Sequence, residues 1–134
     1  MDPRDLDLRN LTYRRFVELG RAPAPGELGS REEVLASWRR LHEAHALVLD
    51  GDAIRMANPF SAVPTPYRVL ADGRWWYGNC AWDAFGICAA LGVDGRIEHR
   101  DIVVEVRDEK PDDESLVFHC LVPAASWWDD IVYT

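Results

Sequence analysis

Cys80 and Asp83 are the pair of reactive side chains in this sequence whose spacing puts them together. They fall in Trp75–Leu91, WWYGNCAWDAFGICAAL, where an aromatic run reads as a strand, Gly78-Asn79 breaks it, and an apolar helix follows from about Cys80 with Gly92 as its cap. A thiol and a carboxylate three residues apart at a helix start share one face. The helix N-terminus lowers a thiol pKa below its free value of about 8.5, and Asn79 suits the N-cap position. Trp82, Phe85 and one of Trp75 or Trp76 are expected to surround Asp83 with apolar atoms that raise its pKa and keep a proton available. A soft thiolate beside a proton donor suits chemistry at a soft metal centre. Taken singly, Cys80 reads as a small buried residue at a junction and Asp83 as a first-turn carboxylate favoured by the helix dipole. Only the pairing argues for more.

The remaining candidates are weaker. Cys88 lies a little over two turns beyond Cys80, rotated partly away from it among Ala84, Ile87 and Leu91, and reads as core. Cys120, in Phe118-His-Cys-Leu-Val122, alternates with His119 across a strand and faces either the site or the core. His42, His45 and His99 read as surface or helix positions without partners. The tandem Trp127-Trp128 reads as packing.

The elements that must position the pair follow from periodicity. Residues 1–8 read as loose. Leu8–Leu19 carries apolar residues at helical spacing up to Gly20, and Pro23 and Pro25 make a loop. Ser30 with Glu33 forms a capping box, so a helix is expected from Arg31 to about His45 with Val34, Leu35, Trp38 and Leu41 inward. Ala46–Leu49 and Ala53–Met56 read as strands around the Asp50-Gly51 turn. Two helices and a β-hairpin wing resemble a winged-helix unit, spanning 1–57. Residues 58–66, with three prolines, are expected to cross in an extended path without regular structure. From 67 to 134 the spacing predicts an α+β core, mostly antiparallel: the hairpin Tyr67–Leu70 and Arg74–Tyr77, the helix bearing Cys80 and Asp83, Ile97–Val106 as one strand or two broken near Arg100, an acidic loop over Asp108–Glu114, and a strand over Leu116–Val122. Trp127, Trp128, Ile131, Val132 and Tyr133 then form an apolar tail that must pack on something, with self-association as one outlet.

The bulk numbers bound the function. A chain of 134 residues supports one ordinary core or two small subdomains. Its net charge of −8 argues against nucleic-acid binding, which needs a basic footprint. No apolar run reaches the roughly 20 residues of a membrane span, and MDPRDLDLRN lacks a signal-peptide core, so a cytoplasmic location is expected. Three cysteines without a secretion signal predict thiols rather than disulfides, and no zinc-type spacing occurs.

Taken together, these residues resemble the alkylmercury (organomercurial) lyase family. The resemblance rests on the two-helix-and-wing start, the stretch Arg55–Pro66, Tyr77-Gly-Asn-Cys-Ala-Trp-Asp83, and Val122-Pro123 with Trp127–Ile131. It implies protonolysis of a carbon–mercury bond, with Cys80 as the mercury-binding thiol and Asp83 as the proton-transfer acid. It implies a small organomercurial as substrate and no cofactor beyond external thiols that remove Hg²⁺. The family's second site cysteine would fall directly after Thr134, so the two-thiol site is not complete within these residues unless Cys120 takes that place. The alternative expectation is thiol-based binding of mercury or another soft metal ion by a truncated family member, without cleavage.

Overall fold

Asp2 and Pro3 start the first helix earlier than the sequence pattern predicts. In the computed structural model, which describes residues 1–117 and 124–131, α1 spans Pro3–Leu19. The Asp2 carboxylate accepts the Arg4 amide at 2.8 Å, and Pro3 occupies a first-turn position where no N–H is required. The stretch expected to be loose is therefore helical, and its Asp5 is buried. Its charge is met from the second helix, α2 (Arg31–Glu43): Arg40 donates two hydrogen bonds to the carboxylate, each 2.8 Å, and Ser37 Oγ donates a third. On the inner face Thr12 replaces the expected apolar contact. Its hydroxyl bonds Leu8 O at 2.7 Å and accepts Trp38 Nε1–H at 3.0 Å, while Leu19 stays exposed.

Helix α2 begins where the capping box places it, with Val34, Leu35, Trp38 and Leu41 buried. Ser30 makes no side-chain capping bond, however, and the helix ends at Glu43, before His45 turns into the left-handed region at φ 60°.

Among the described residues the strands form one antiparallel sheet of eight, in the order β1-β2-β3-β5-β4-β6-β7-β8. These are Val48–Asp50, Ala53–Ala57, Phe60–Ser61, Tyr67–Ala71, Arg74–Gly78, Gly95–His99, Ile102–Arg107 and Lys110–Pro111 for β1 to β8. Two short strands correct the sequence reading. β3 lies inside the proline-containing stretch expected to be irregular: Phe60 and Ser61 fall between Pro59 and Pro64, keep their N–H groups, and pair with Ala57, Met56 and Gly78. β8 lies in the acidic stretch expected to be a loop and pairs with Val106 and Arg107. Ile97–Val106 resolves into two strands, with Arg100 at φ 55° in the turn between them. Leu116 and Val117 are not in a strand, and the rest of the strand expected at Leu116–Val122 lies outside the described residues, as do Val132 and Tyr133.

The third helix, α3 (Ala81–Leu91), packs on β4, β5 and β6. Alternation sends Val69, Ala71, Trp76, Ile97, Val104 and Val106 toward it and into the core. Phe60 joins the two helical regions to this core, with its ring 5.3 Å from that of Phe16 and 5.2 Å from that of Trp76. Arg74 of β5 ties down the end of α1, donating from one nitrogen to the carbonyls of Val17 and Glu18.

Ala124–Asp129 forms a 3₁₀ turn, and its Trp128 stacks on His45 with ring centres 4.0 Å apart and planes at 4°. The histidines expected to lack partners have them. His42 Nδ1 accepts the Leu49 amide at 3.1 Å, and His99 stacks on Tyr67 at 4.3 Å. Among the described residues, no helix is long and apolar enough to cross a membrane.

Candidate functional site

The site is built where β5 runs into α3. Gly78, the last residue of β5, pairs with Tyr67 on one side and Phe60 on the other, and its carbonyl accepts the Thr65 hydroxyl at 2.6 Å. A Cβ at this position would lie 2.8 Å from the Ala84 nitrogen and 3.1 Å from the Cys80 carbonyl oxygen. Only glycine lets the first turn of α3 press this closely onto the strand.

Cys80, not Asn79, is the N-cap. Its backbone is extended (φ −149°, ψ −179°), and its carbonyl accepts the Ala84 N–H at 3.1 Å. Asp83 is then the third helical residue. The two side chains occupy the positions at which a capping box places a hydroxyl and a carboxylate, with a thiol in the place of the hydroxyl. Both are partly buried. Burial pushes the Asp83 carboxyl above the usual carboxylate range, and hydrogen bonding with Asn79 and Cys80 pulls the other way.

The apolar surroundings expected of Asp83 are only partly as the sequence suggests. Trp75 points to the opposite face of the sheet, where the Arg68 guanidinium lies 3.9 Å from its ring centre, and Trp82 is 69% exposed. The N-terminal helix contributes instead. Tyr13 is packed against the core, the Arg9 guanidinium sits 4.7 Å over its ring, and the charge of Asp83 helps to raise the phenol pKa above an effect due mainly to burial. Nothing in the local spacing of α1 marks Tyr13 as feeling the charge of Asp83, because that effect arises only in the folded chain.

Asn79 is the other residue with a part that sequence reasoning did not give it. Released from capping, its side-chain amide donates to Asn58 Oδ1 at 2.9 Å and to Phe60 O at 3.3 Å. Cys88 lies in the core as expected. It is 2% exposed, its Sγ would be 2.7 Å from a Cβ at Gly95, and burial raises its pKa, so it does not share the Cys80 site. Cys120 lies outside the described residues. A cleft of about 130 Å³ between the end of α1 and Ser61–Pro64 is lined by Phe16, Trp76 and Tyr77 among others, and not by the Cys80–Asp83 pair.

Chemically, the pair offers a polarisable sulfur, an acid whose burial favours the protonated form, and a hydrogen bond linking the two.

Residues 60–134 match the alkylmercury lyase family, so the match contains the whole β5–α3 junction. No curated protein sequence matches the chain. Among solved structures, the mercury-bound form of MerB2 is similar with a TM-score of 0.66 and 18% identity, over 84% of this chain and 60% of that one. At that identity the likeness is one of fold. This chain spans about three fifths of the length of that relative.

Proposed function

The chain belongs to the alkylmercury lyase family, and from that premise we propose that it cleaves carbon–mercury bonds by protonolysis through Cys80 and Asp83. The observation that carries this reading is the placement of a thiol and a burial-raised carboxyl as N-cap and third residue of one helix, hydrogen-bonded to each other. The Cys80 thiolate takes the mercury of R–Hg⁺ beside the protonated Asp83 carboxyl. The carboxyl then delivers its proton to the carbon. The carbon–mercury bond breaks, R–H leaves, and mercury stays on the sulfur as Cys80–S–Hg⁺. One proton moves from Asp83 to carbon, and no electrons are exchanged with an outside partner. Two external thiols then take Hg²⁺ from Cys80, one of their protons restoring the Asp83 carboxyl and the other passing to solvent. The substrate is a small organomercurial, and the setting is the cytoplasm, where thiols are plentiful.

Phenylmercury incubated with the protein and excess thiol is the test, with benzene release as the readout. Release by the wild type and none by Cys80→Ser supports the reading. Mercury retained on the wild type without release would make the protein a thiol-based binder of mercury instead.

A further inference from the structure

We propose that Asn79 is a positioning residue for this reaction: it ties the first turn of α3 to the Asn58–Phe60 turn and so fixes the Asp83 carboxyl against Cys80. The inference rests on the lyase reading of the pair.

Three observations carry it. The amide of Asn79 is held at two points, by Asn58 Oδ1 and by the main-chain oxygen of Phe60. A main-chain carbonyl cannot become a donor, so the Phe60 contact dictates which end of the amide faces the turn. Phe60 is itself buried, 2% exposed and packed between the Phe16 and Trp76 rings.

Secondly, this orientation leaves Asn79 Oδ1 buried and, among the described residues, without a hydrogen-bond partner. Proteins seldom keep a buried acceptor unpaired, because its lost hydration is not replaced. Asn79 is thus held by its donor side at the expense of its acceptor, which is not what stability alone would select.

Thirdly, the same turn braces α3 again one turn further on, where a Cβ at Gly86 would lie 3.2 Å from Pro59 Cβ. The helix start is pinned on both sides of Asp83, and Asn79 immediately precedes Cys80, the N-cap of that helix. Among the described residues, the titratable groups that interact with the carboxyl are the Cys80 thiol at the head of the same helix and, through its charge, Tyr13 of α1, with Arg9 over its ring.

Single-turnover release of benzene from phenylmercury, measured alongside mercury binding to Cys80 by thiolate–mercury absorption, tests the proposal. Asn79→Ala should slow release about 10- to 100-fold, the scale on which a misplaced catalytic group acts, while binding stays unchanged. Asn58→Ala, which removes one of the two tethers, should give a smaller loss in the same direction. In an Asp83→Asn background, Asn79→Ala should cost nothing further, because it acts through that carboxyl. An equal loss in both backgrounds, or loss of binding in step with release, overturns the proposal. If the wild type releases no benzene the lyase reading falls by itself. The inference is then decided by the Asn79 side-chain amide signals in a ¹H–¹⁵N spectrum: a shift on Asp83→Asn sustains the coupling and no shift removes it.

Discussion

Asp5 and Arg40 hold the two N-terminal helices together through a two-pronged hydrogen bond, both contacts 2.8 Å, formed by residues 35 positions apart. The carboxylate is 4% exposed, and the Arg40 and Ser37 hydrogen bonds hold its pKa at about 2, below the ordinary 3.8. A carboxyl lowered on folding contributes stability that is complete above its unfolded pKa and lost as the pH falls through the folded value. Asp5→Asn should destabilise the protein by about 1–3 kcal/mol at pH 7. In urea denaturation the gap between variant and wild type should narrow from pH 4 toward pH 2. A gap that does not change with pH would mean that the charge on Asp5 is irrelevant.

Cys80 and Asp83 should separate binding from turnover. Cys80→Ser removes the soft ligand, so thiolate–mercury absorption at this site should disappear together with hydrocarbon release. Asp83→Asn should leave that absorption in place and reduce single-turnover release by about 10²–10⁴-fold, the usual worth of a positioned proton donor. Full release by Asp83→Asn would assign the proton to another group.

Asp83 also has a stability signature. Its pKa is raised by burial, so the folded state favours the neutral carboxyl. The sign is opposite to that of Asp5: this contribution is present below the unfolded pKa and is lost as the pH rises through the folded one. Asp83→Asn, neutral at every pH, should therefore gain stability relative to wild type as the pH is raised from 3 to 7. Thermal melts across that range give the comparison, and a relative loss on raising the pH would contradict the assigned direction.

Gly78→Ala tests the floor of the site. Its Cβ would meet main-chain atoms of Ala84 and Cys80, which cannot rotate away as a flexible side chain can. Overpacking of this kind costs about 1–3 kcal/mol, and the first turn of α3 must lift to relieve it. Lower thermal stability together with slower benzene release is expected, and a variant with wild-type values for both would show that the close approach is dispensable.

Much of the fold was legible because local pattern and tertiary demand agree. The inner face of α2, the turns at Asp50-Gly51 and Ala71–Gly73, and the Gly92 cap of α3 all follow from periodicity and turn chemistry. Cys80 and Asp83 were likewise visible, since three residues on one helix fix their relation. What the local sequence does not carry depends on distant partners. The first turn of α1 looked too acidic to be ordered because Asp5 is matched by Ser37 and Arg40, more than thirty residues away. β3 looked irregular because its two residues become a strand only against β2 and β5. Asn79 suits a cap by its neighbours in sequence, whereas Asn58 and Phe60 claim its amide.

The single residue pair Phe60–Gly78, which joins β3 to β5, has a consequence for the order of assembly. β1 and β2 can form their hairpin as soon as residue 57 exists, and β3 can follow with residue 61. None of them can join the rest of the sheet before residue 78 has been made. Gly78 comes after β4, yet β5 takes the position between β3 and β4. During synthesis the N-terminal hairpin must therefore wait, its β3 edge unpaired, for the same junction that sets Cys80 at the head of its helix.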